Sequence, residues 1–172
     1  MIIVFLISPP LPQVGSIGFS TVGLLQGQFW TLVTSMFVHV DLLHLAVNMF
    51  FLYIFGSALE FEIKARKTLV IFFIAGVLTL VLGIPFYSPD THIVGSSIAI
   101  SALAGAALLI VKIDKPASPL VLYAPIGLVA IIYVIFNVFM LIFDRSGGVA
   151  WPSHIIGFVI GVNFGLMWRK RI

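Results

Sequence analysis

The sequence contains no cysteine and few charged residues. Without cysteine there is no disulfide, no zinc–thiolate site and no thiol nucleophile. Charged residues make up 9% of the 172 residues, whereas 61% are hydrophobic, and a soluble domain needs a more polar surface than this. The chain also lacks an internal repeat, a low-complexity segment and a polar linker, so we expect one domain over residues 1–172. This composition predicts an integral membrane protein.

Five apolar runs are each near the roughly 20 residues that a membrane-spanning helix needs. Their residues do not alternate as barrel strands do, and lipid cannot satisfy unpaired backbone groups, so each run is predicted to be helical. The predicted fold class is therefore all-α, a polytopic bundle of membrane helices. The runs cover approximately residues 42–59, 68–86, 95–111, 120–143 and 153–168.

Residues 1–27 do not contain a complete span. Residues 1–7 are apolar but too few to cross the hydrocarbon, and Pro9, Pro10 and Pro12 end any helix there. This stretch also lacks the basic flank and the cleavage site of a signal peptide. We expect it to hold part of a first helix, apparently truncated, and a loop.

The basic residues predict the orientation of the spans. If the five runs alternate in direction, eight of the nine basic residues fall on one side, and Arg145 is the exception. The positive-inside tendency makes that side, with the C-terminus, cytoplasmic. The eight residues are Lys64, Arg66, Lys67, Lys112, Lys115, Arg169, Lys170 and Arg171.

Stripes of small residues on the third and fifth runs predict that these two helices pack closely. Ser97 begins the first stripe, which continues through Ser101, Ala104 and Gly105, and His154 begins the second, which continues through Gly157, Gly161 and Gly165. If the stripes meet, Ser97 and His154 lie at one level near the outer leaflet. A hydroxyl within hydrogen-bond reach of an imidazole makes a nucleophile and its general base.

A second pair of polar residues lies on the first run. His44 and Asn48 are four residues apart and so share one helical face. Both side chains can donate hydrogen bonds to a developing oxyanion.

A triad acid is missing, because all six acidic residues lie at run ends or in loops, so the sequence predicts a Ser-His dyad.

Structural explanations exist for each feature taken alone. A serine in a membrane helix often bonds back to a carbonyl of its own helix, a glycine stripe often serves packing only, and a histidine can be a satisfied structural residue. Metal binding by His39, His44, His92 and His154 is disfavoured, because no HExxH pair or carboxylate cluster accompanies them. The occurrence of all the features at one leaflet favours catalysis.

The combination resembles the rhomboid family of intramembrane serine proteases from about Gln28 to Gly165. The stretch "GQFWTLVTSMFVHVDLLHLAVNMFFLYIFGSALE" is similar to the first loop and second helix of that family, with its HxxxN at His44 and Asn48. Gly95-Ser96-Ser97-Ile98 matches its GxSx motif, and His154-Ile155-Ile156-Gly157 matches its HxxG motif. Each pattern is short, but their order and placement make the combination specific.

The resemblance implies a six-helix core, with Ser97 as nucleophile and His154 as general base. It also implies an oxyanion site made by the backbone N–H of Ser97 and the side chains of His44 and Asn48. Substrates would be membrane proteins whose transmembrane segments enter from the lipid bilayer. The site would open to the extracytoplasmic side of the cell membrane. No metal, cofactor or nucleic acid would be involved.

Three positions depart from the family pattern. Thr31 stands where an arginine frequently follows the tryptophan of the first loop. Ile98 replaces the glycine that commonly follows the nucleophile, and its branched side chain is expected to crowd the oxyanion site. Ser101 replaces an aromatic residue that often stacks on the base histidine. These departures favour an alternative function, a catalytically inactive rhomboid-like protein that binds client helices. A small transporter is disfavoured, because the polar residues cluster at one leaflet.

Overall fold

The computed structural model describes residues 6–7, 15–111, 116–118, 121–144, 146 and 148–169. Helices dominate these ranges, and the strands are two to five residues long, so the predicted all-α class is confirmed. In chain order the α-helices of four or more residues are α1 (Thr21–Leu25), α2 (Thr31–Thr34), α3 (Leu42–Val70), α4 (Gly76–Gly83), α5 (Ser97–Ile110), α6 (Ile126–Phe143) and α7 (Trp151–Arg169). The strands are β1 (Leu6–Ile7), β2 (Val38–His39), β3 (Pro116–Ser118) and β4 (Val121–Pro125).

Helix α3 begins at a side-chain cap and continues past the apolar run that predicted it. The Asp41 carboxylate accepts a hydrogen bond from the backbone N–H of His44, which satisfies one of the free donors of the first turn. The helix then runs through the basic segment, where Lys64 alone has non-helical dihedral angles (φ 71°, ψ 157°) and kinks it. A π turn at Ile71–Ala75 joins α3 to α4. The basic segment between the first two predicted runs is thus helical, with a kink at Lys64.

Helix α5 lies at the centre of the bundle, with nearly every side chain buried, and packs along α7. An added Cβ at Gly161 would lie 1.9 Å from the Ala102 carbonyl oxygen, and one at Gly105 would lie 2.1 Å from that of Phe158. Such distances mean that the two backbones touch, which only glycine permits. The predicted packing of the two small-residue stripes is confirmed.

The outer surface of the bundle is apolar. Large hydrophobic side chains are exposed along α6, including Ile132, Ile135 and Phe139. By length and composition, the helical stretch Leu42–Phe86 and helix α6 can each cross a membrane, and α5 is a shorter apolar helix. An apolar surface of this kind is stable against lipid and unfavourable in water. The count of five spans stays a prediction.

The predicted start of the fourth run differs from the structure. The fourth run was expected to be helical from about residue 120, but β4 is extended and pairs antiparallel with β3, so α6 begins only at Ile126. Pro125 explains the delay, because a proline disfavours helical dihedrals in the residue before it. The partial first helix falls largely outside the described residues, and β1 is an extended segment paired in parallel with β2.

Candidate active site

Ser97 and His154 lie side by side where α5 and α7 begin. The Ser97 hydroxyl oxygen is 2.9 Å from Nε2 of His154. His154 is buried and Ser97 is half-buried. The contact between the backbones of α5 and α7 brings the two side chains to one level, as the stripes predicted. This distance is that of a hydrogen bond, the contact through which a general base activates a nucleophile.

The segment before Ser97 is held by backbone hydrogen bonds. Phe19 and Ile93 exchange two of them, at 3.1 and 2.7 Å, and the Gly95 N–H donates to the Ser35 carbonyl at 2.9 Å. Gly95 has φ +108°, a conformation that side-chain-bearing residues rarely adopt. A Cβ there would lie 2.7 Å from Cε1 of His44. Glycine is therefore required both for the turn and for the close approach of the histidine.

His44 and Asn48 flank the same segment from α3. The imidazole of His44 lies against Gly95, and its buried Nδ1 has no hydrogen-bond partner. The Asn48 side chain donates from Nδ2 to the His44 carbonyl at 2.8 Å and accepts at Oδ1 from the Ser96 hydroxyl at 3.1 Å. Neither of these two side chains is hydrogen-bonded to the Ser97 hydroxyl. Both lie beside the Gly95-Ser96-Ser97 turn.

His39, which precedes α3, extends this polar group. Its Nε2 is 3.4 Å from the Ser96 hydroxyl, and its ring meets that of His44 edge-on at 5.1 Å between centroids. Burial, together with the neighbouring His44, lowers the pKa of His39 to about 4. His39 is therefore neutral at neutral pH. The contact with Ser96 is consistent with a structural role for His39.

No three histidine, cysteine, aspartate or glutamate side chains lie together as a metal site within the described ranges. The four histidines do not gather around one point with carboxylates. That no metal or cofactor takes part stays a prediction.

The model of the Rhomboid domain matches residues 26–171, most of the chain. The chain belongs to the rhomboid family. A search of curated proteins found no match. Rhomboids are generally serine intramembrane proteases that act on membrane-protein substrates in a bilayer.

Two of the three departures from the rhomboid pattern are explained by packing. The side chain of Ile98 is buried in the apolar core, and its expected crowding of the oxyanion site stays a prediction. Thr31 is also buried, and its hydroxyl donates to the Gln28 carbonyl at 2.7 Å, so this side chain is satisfied within its own loop. Neither replacement places a side chain between Ser97 and His154.

An aromatic residue does contact His154 of this rhomboid, although it comes from α7, the histidine's own helix, and not from α5. The ring of Trp151 contacts that of His154 edge-on, with centroids 5.4 Å apart. The indole N–H of Trp151 donates to the Asp144 carboxylate at 2.7 Å. Hydrogen bonds from the Ser146 backbone and from this indole lower the pKa of Asp144. Trp151 thus supplies an aromatic contact from one turn earlier in α7, just outside the predicted run 153–168, whereas the family pattern places the aromatic residue at position 101 of α5.

Asn137 of α6 was also missed. Its side chain is buried, and its Oδ1 lies 2.5 Å from Nδ1 of His154. The only signal in the sequence is one amide within the apolar run 120–143. A lone polar residue there has to find a partner in the bundle, since lipid offers none. Its partner could not be named without the packing of α6 on α7.

Proposed function

We propose that this rhomboid is a serine endopeptidase that cleaves transmembrane or membrane-adjacent segments of membrane proteins. The observation that carries the proposal is the 2.9 Å hydrogen bond between the Ser97 hydroxyl and Nε2 of His154. This contact lies inside a helix bundle with an apolar exterior, beside donors that face the same turn. A pair so arranged can activate a hydroxyl for attack on a peptide bond.

In the proposed reaction the Ser97 oxygen attacks the carbonyl carbon of the scissile peptide bond while its proton passes to Nε2 of His154. The tetrahedral intermediate collapses, the C–N bond breaks and His154 gives the proton to the leaving amine. Water then attacks the acyl-enzyme with His154 again as base, which releases the new carboxyl end and restores Ser97. No metal or cofactor is needed for any step.

We assign the oxyanion site to the backbone N–H of Ser97 and to the side chains of His44 and Asn48. Nδ1 of His44 is buried and unpaired, so this ring has hydrogen-bonding capacity left to use. Nδ2 of Asn48 carries two N–H groups, and one hydrogen bond is made, to the His44 carbonyl. One such donor is worth about 100- to 1,000-fold in rate.

We further propose that the protein lies in the cell membrane as a multi-pass protein with a cytoplasmic C-terminus. The site then opens to the extracytoplasmic side, and substrates reach it from the lipid bilayer. The distribution of basic residues supports this orientation. Nucleic acid plays no part in the proposal.

The first prediction concerns an activated serine and needs no substrate. A fluorophosphonate probe added to the detergent-solubilised protein is expected to label Ser97, because His154 raises the nucleophilicity of this hydroxyl. Peptide mass spectrometry locates the adduct. Ser97→Ala and His154→Ala should both abolish labelling.

Ser57→Ala is the matched control, because Ser57 lies on α3 and its hydroxyl bonds only to carbonyls of its own helix. Labelling should be unchanged in this variant. If the folded wild-type protein reacts at no serine, the peptidase proposal fails. Capture of client helices without cleavage would then support the inactive, client-binding alternative.

A further inference from the structure

Asn137 occupies an unusual place in the bundle. It lies near the middle of α6, in a run of apolar residues, and 2% of its surface is exposed. Burial of an amide is unfavourable unless its groups are hydrogen-bonded. Both ends of this amide have partners, Nδ1 of His154 and the backbone carbonyl of Tyr133.

The Tyr133 carbonyl determines which way the amide faces. A carbonyl oxygen can only accept, so the group of Asn137 that lies 2.7 Å from it must be the Nδ2 donor. Oδ1 therefore faces Nδ1 of His154, and an amide oxygen can only accept. It follows that Nδ1 of His154 carries the hydrogen in the neutral ring.

The tautomer of His154 has a direct consequence for Ser97. A neutral imidazole has one N–H, so with the hydrogen on Nδ1 the lone pair is on Nε2. Nε2 is the atom 2.9 Å from the Ser97 hydroxyl. The serine must donate this hydrogen bond, which is the direction that proton removal requires.

Helix α6, which carries Asn137, is also hydrogen-bonded to α5. The Ser101 hydroxyl donates to the Ser97 carbonyl at 2.9 Å, and because its single hydrogen is used there, Tyr133 donates the 2.8 Å hydrogen bond between the two hydroxyls. Tyr133 and Asn137 are one helical turn apart. Helix α6 therefore contacts α5, the helix of Ser97, through Tyr133, and it contacts His154 through Asn137.

We propose that Asn137 is a positioning residue that completes a hydrogen-bonded Ser97–His154–Asn137 triad by fixing the tautomer and the ring orientation of His154. The proposal rests on the proposed peptidase function. Asn137 touches neither substrate nor Ser97, and it acts only through the histidine. In a Ser-His-Asp triad a carboxylate holds the histidine in the required tautomer and orientation. Here a neutral amide makes the same hydrogen bond, so no charge is buried in the apolar interior.

The test replaces the amide by a side chain of similar size that cannot accept a hydrogen bond. In the wild type, the ¹⁵N chemical shifts of the His154 ring should show the Nδ1–H tautomer, and in Asn137→Leu they should show its loss. The His154 signals are assigned by their absence from His154→Ala. The rate of fluorophosphonate labelling at Ser97 should fall by about tenfold, the effect of one hydrogen bond.

Asn163→Leu is the matched control. Asn163 is exposed on α7 and donates to the Val159 carbonyl at 2.8 Å, the same local bond that Asn137 makes, but it does not contact His154. Both the ring shifts and the labelling rate should be unchanged in this variant. Asn137→Asp keeps an acceptor at the same place and should retain the Nδ1–H tautomer.

Two results overturn the proposal. One is an Asn137→Leu protein with wild-type ring shifts and labelling rate. The other is loss of the Nδ1–H tautomer in Asn137→Asp, which decides the matter if the leucine variant does not fold. The ring shifts do not depend on the reactivity of Ser97. If the wild-type protein never reacts with the probe, the peptidase proposal fails. If the tautomer still depends on Asn137 in that case, the positioning role is supported.

Discussion

Gly95 shows how one residue constrains the site in two ways. Its φ of +108° bends the chain into the turn before Ser97, and its missing side chain leaves room for the His44 ring. The two requirements have different consequences when they are violated. A strained backbone lowers stability, whereas a displaced histidine removes a proposed oxyanion donor. Substitutions can separate these effects.

Gly95→Ala is expected to impair both stability and reactivity. A Cβ at this conformation costs about 1–2 kcal/mol in folding free energy, and it would also meet Cε1 of His44 at 2.7 Å. The His44 ring has to move, so the rate of fluorophosphonate labelling should fall along with the thermal midpoint in detergent. Both quantities are measured on the same purified protein.

Gly27→Ala is the control for backbone strain alone. Gly27 also has positive φ, +86°, but a Cβ there meets nothing within 4 Å. This variant should lose a similar amount of stability and keep the wild-type labelling rate. Equal labelling rates in the two alanine variants would contradict a role for the contact between Gly95 and His44.

Between elements, the decisive feature is the direct contact of the α5 and α7 backbones. Ser97 and His154 belong to different helices, and their 2.9 Å separation depends on how closely those helices approach. The approach is limited by backbone atoms, which cannot rotate away as a side chain can. Any side chain inserted at the contact should therefore separate the serine from the histidine.

Gly161→Ala tests this coupling. Its Cβ would lie 1.9 Å from the Ala102 carbonyl oxygen, so the helices must separate. Overpacking of this kind costs about 1–3 kcal/mol in stability, and we expect labelling at Ser97 to fall although residue 161 is two helical turns from His154. Thermal unfolding and labelling rate are the measurements.

Gly56→Ala makes the same exchange in α3, where a Cβ meets only a leucine side chain of its own helix at 3.6 Å. It should be neutral or slightly stabilising, because alanine favours a helix over glycine by about 1 kcal/mol. If Gly161→Ala behaves like this control, the tight contact of α5 with α7 does not control the site.

The sequence predicted the elements that depend on local pattern and missed those that depend on packing. The glycine stripe of α7 and the small residues of α5 share a helical period, so their contact and the pairing of Ser97 with His154 could be inferred. Asn137 and Trp151 follow no motif. The contact of Asn137 with His154 arises only when α6 packs on α7, and Trp151, three residues before His154 on α7 itself, lies just outside the predicted run 153–168. The kink at Lys64 likewise has no proline or glycine to predict it.

The whole molecule combines an apolar exterior with charges gathered on one predicted side. Exposed leucine, isoleucine and phenylalanine residues suit a lipid environment, and eight of the nine basic residues follow runs that end on the predicted cytoplasmic side. The proposed site is at the opposite ends of those runs. The orientation therefore decides which compartment supplies the water for hydrolysis and receives the product released there.

Single cysteines can test this orientation directly, because the wild-type chain has none and serves as the blank. Asp90 and Arg66 are both exposed, and they flank the predicted span 68–86, with Arg66 just before it and Asp90 just after it. In intact cells a membrane-impermeant maleimide should label Asp90→Cys but not Arg66→Cys, and lysis should expose the second. The reverse pattern would place the Ser97 end of α5 in the cytoplasm. In that case the proposed hydrolysis would draw its water from the cytoplasmic side, and the positive-inside assignment would be wrong for this chain.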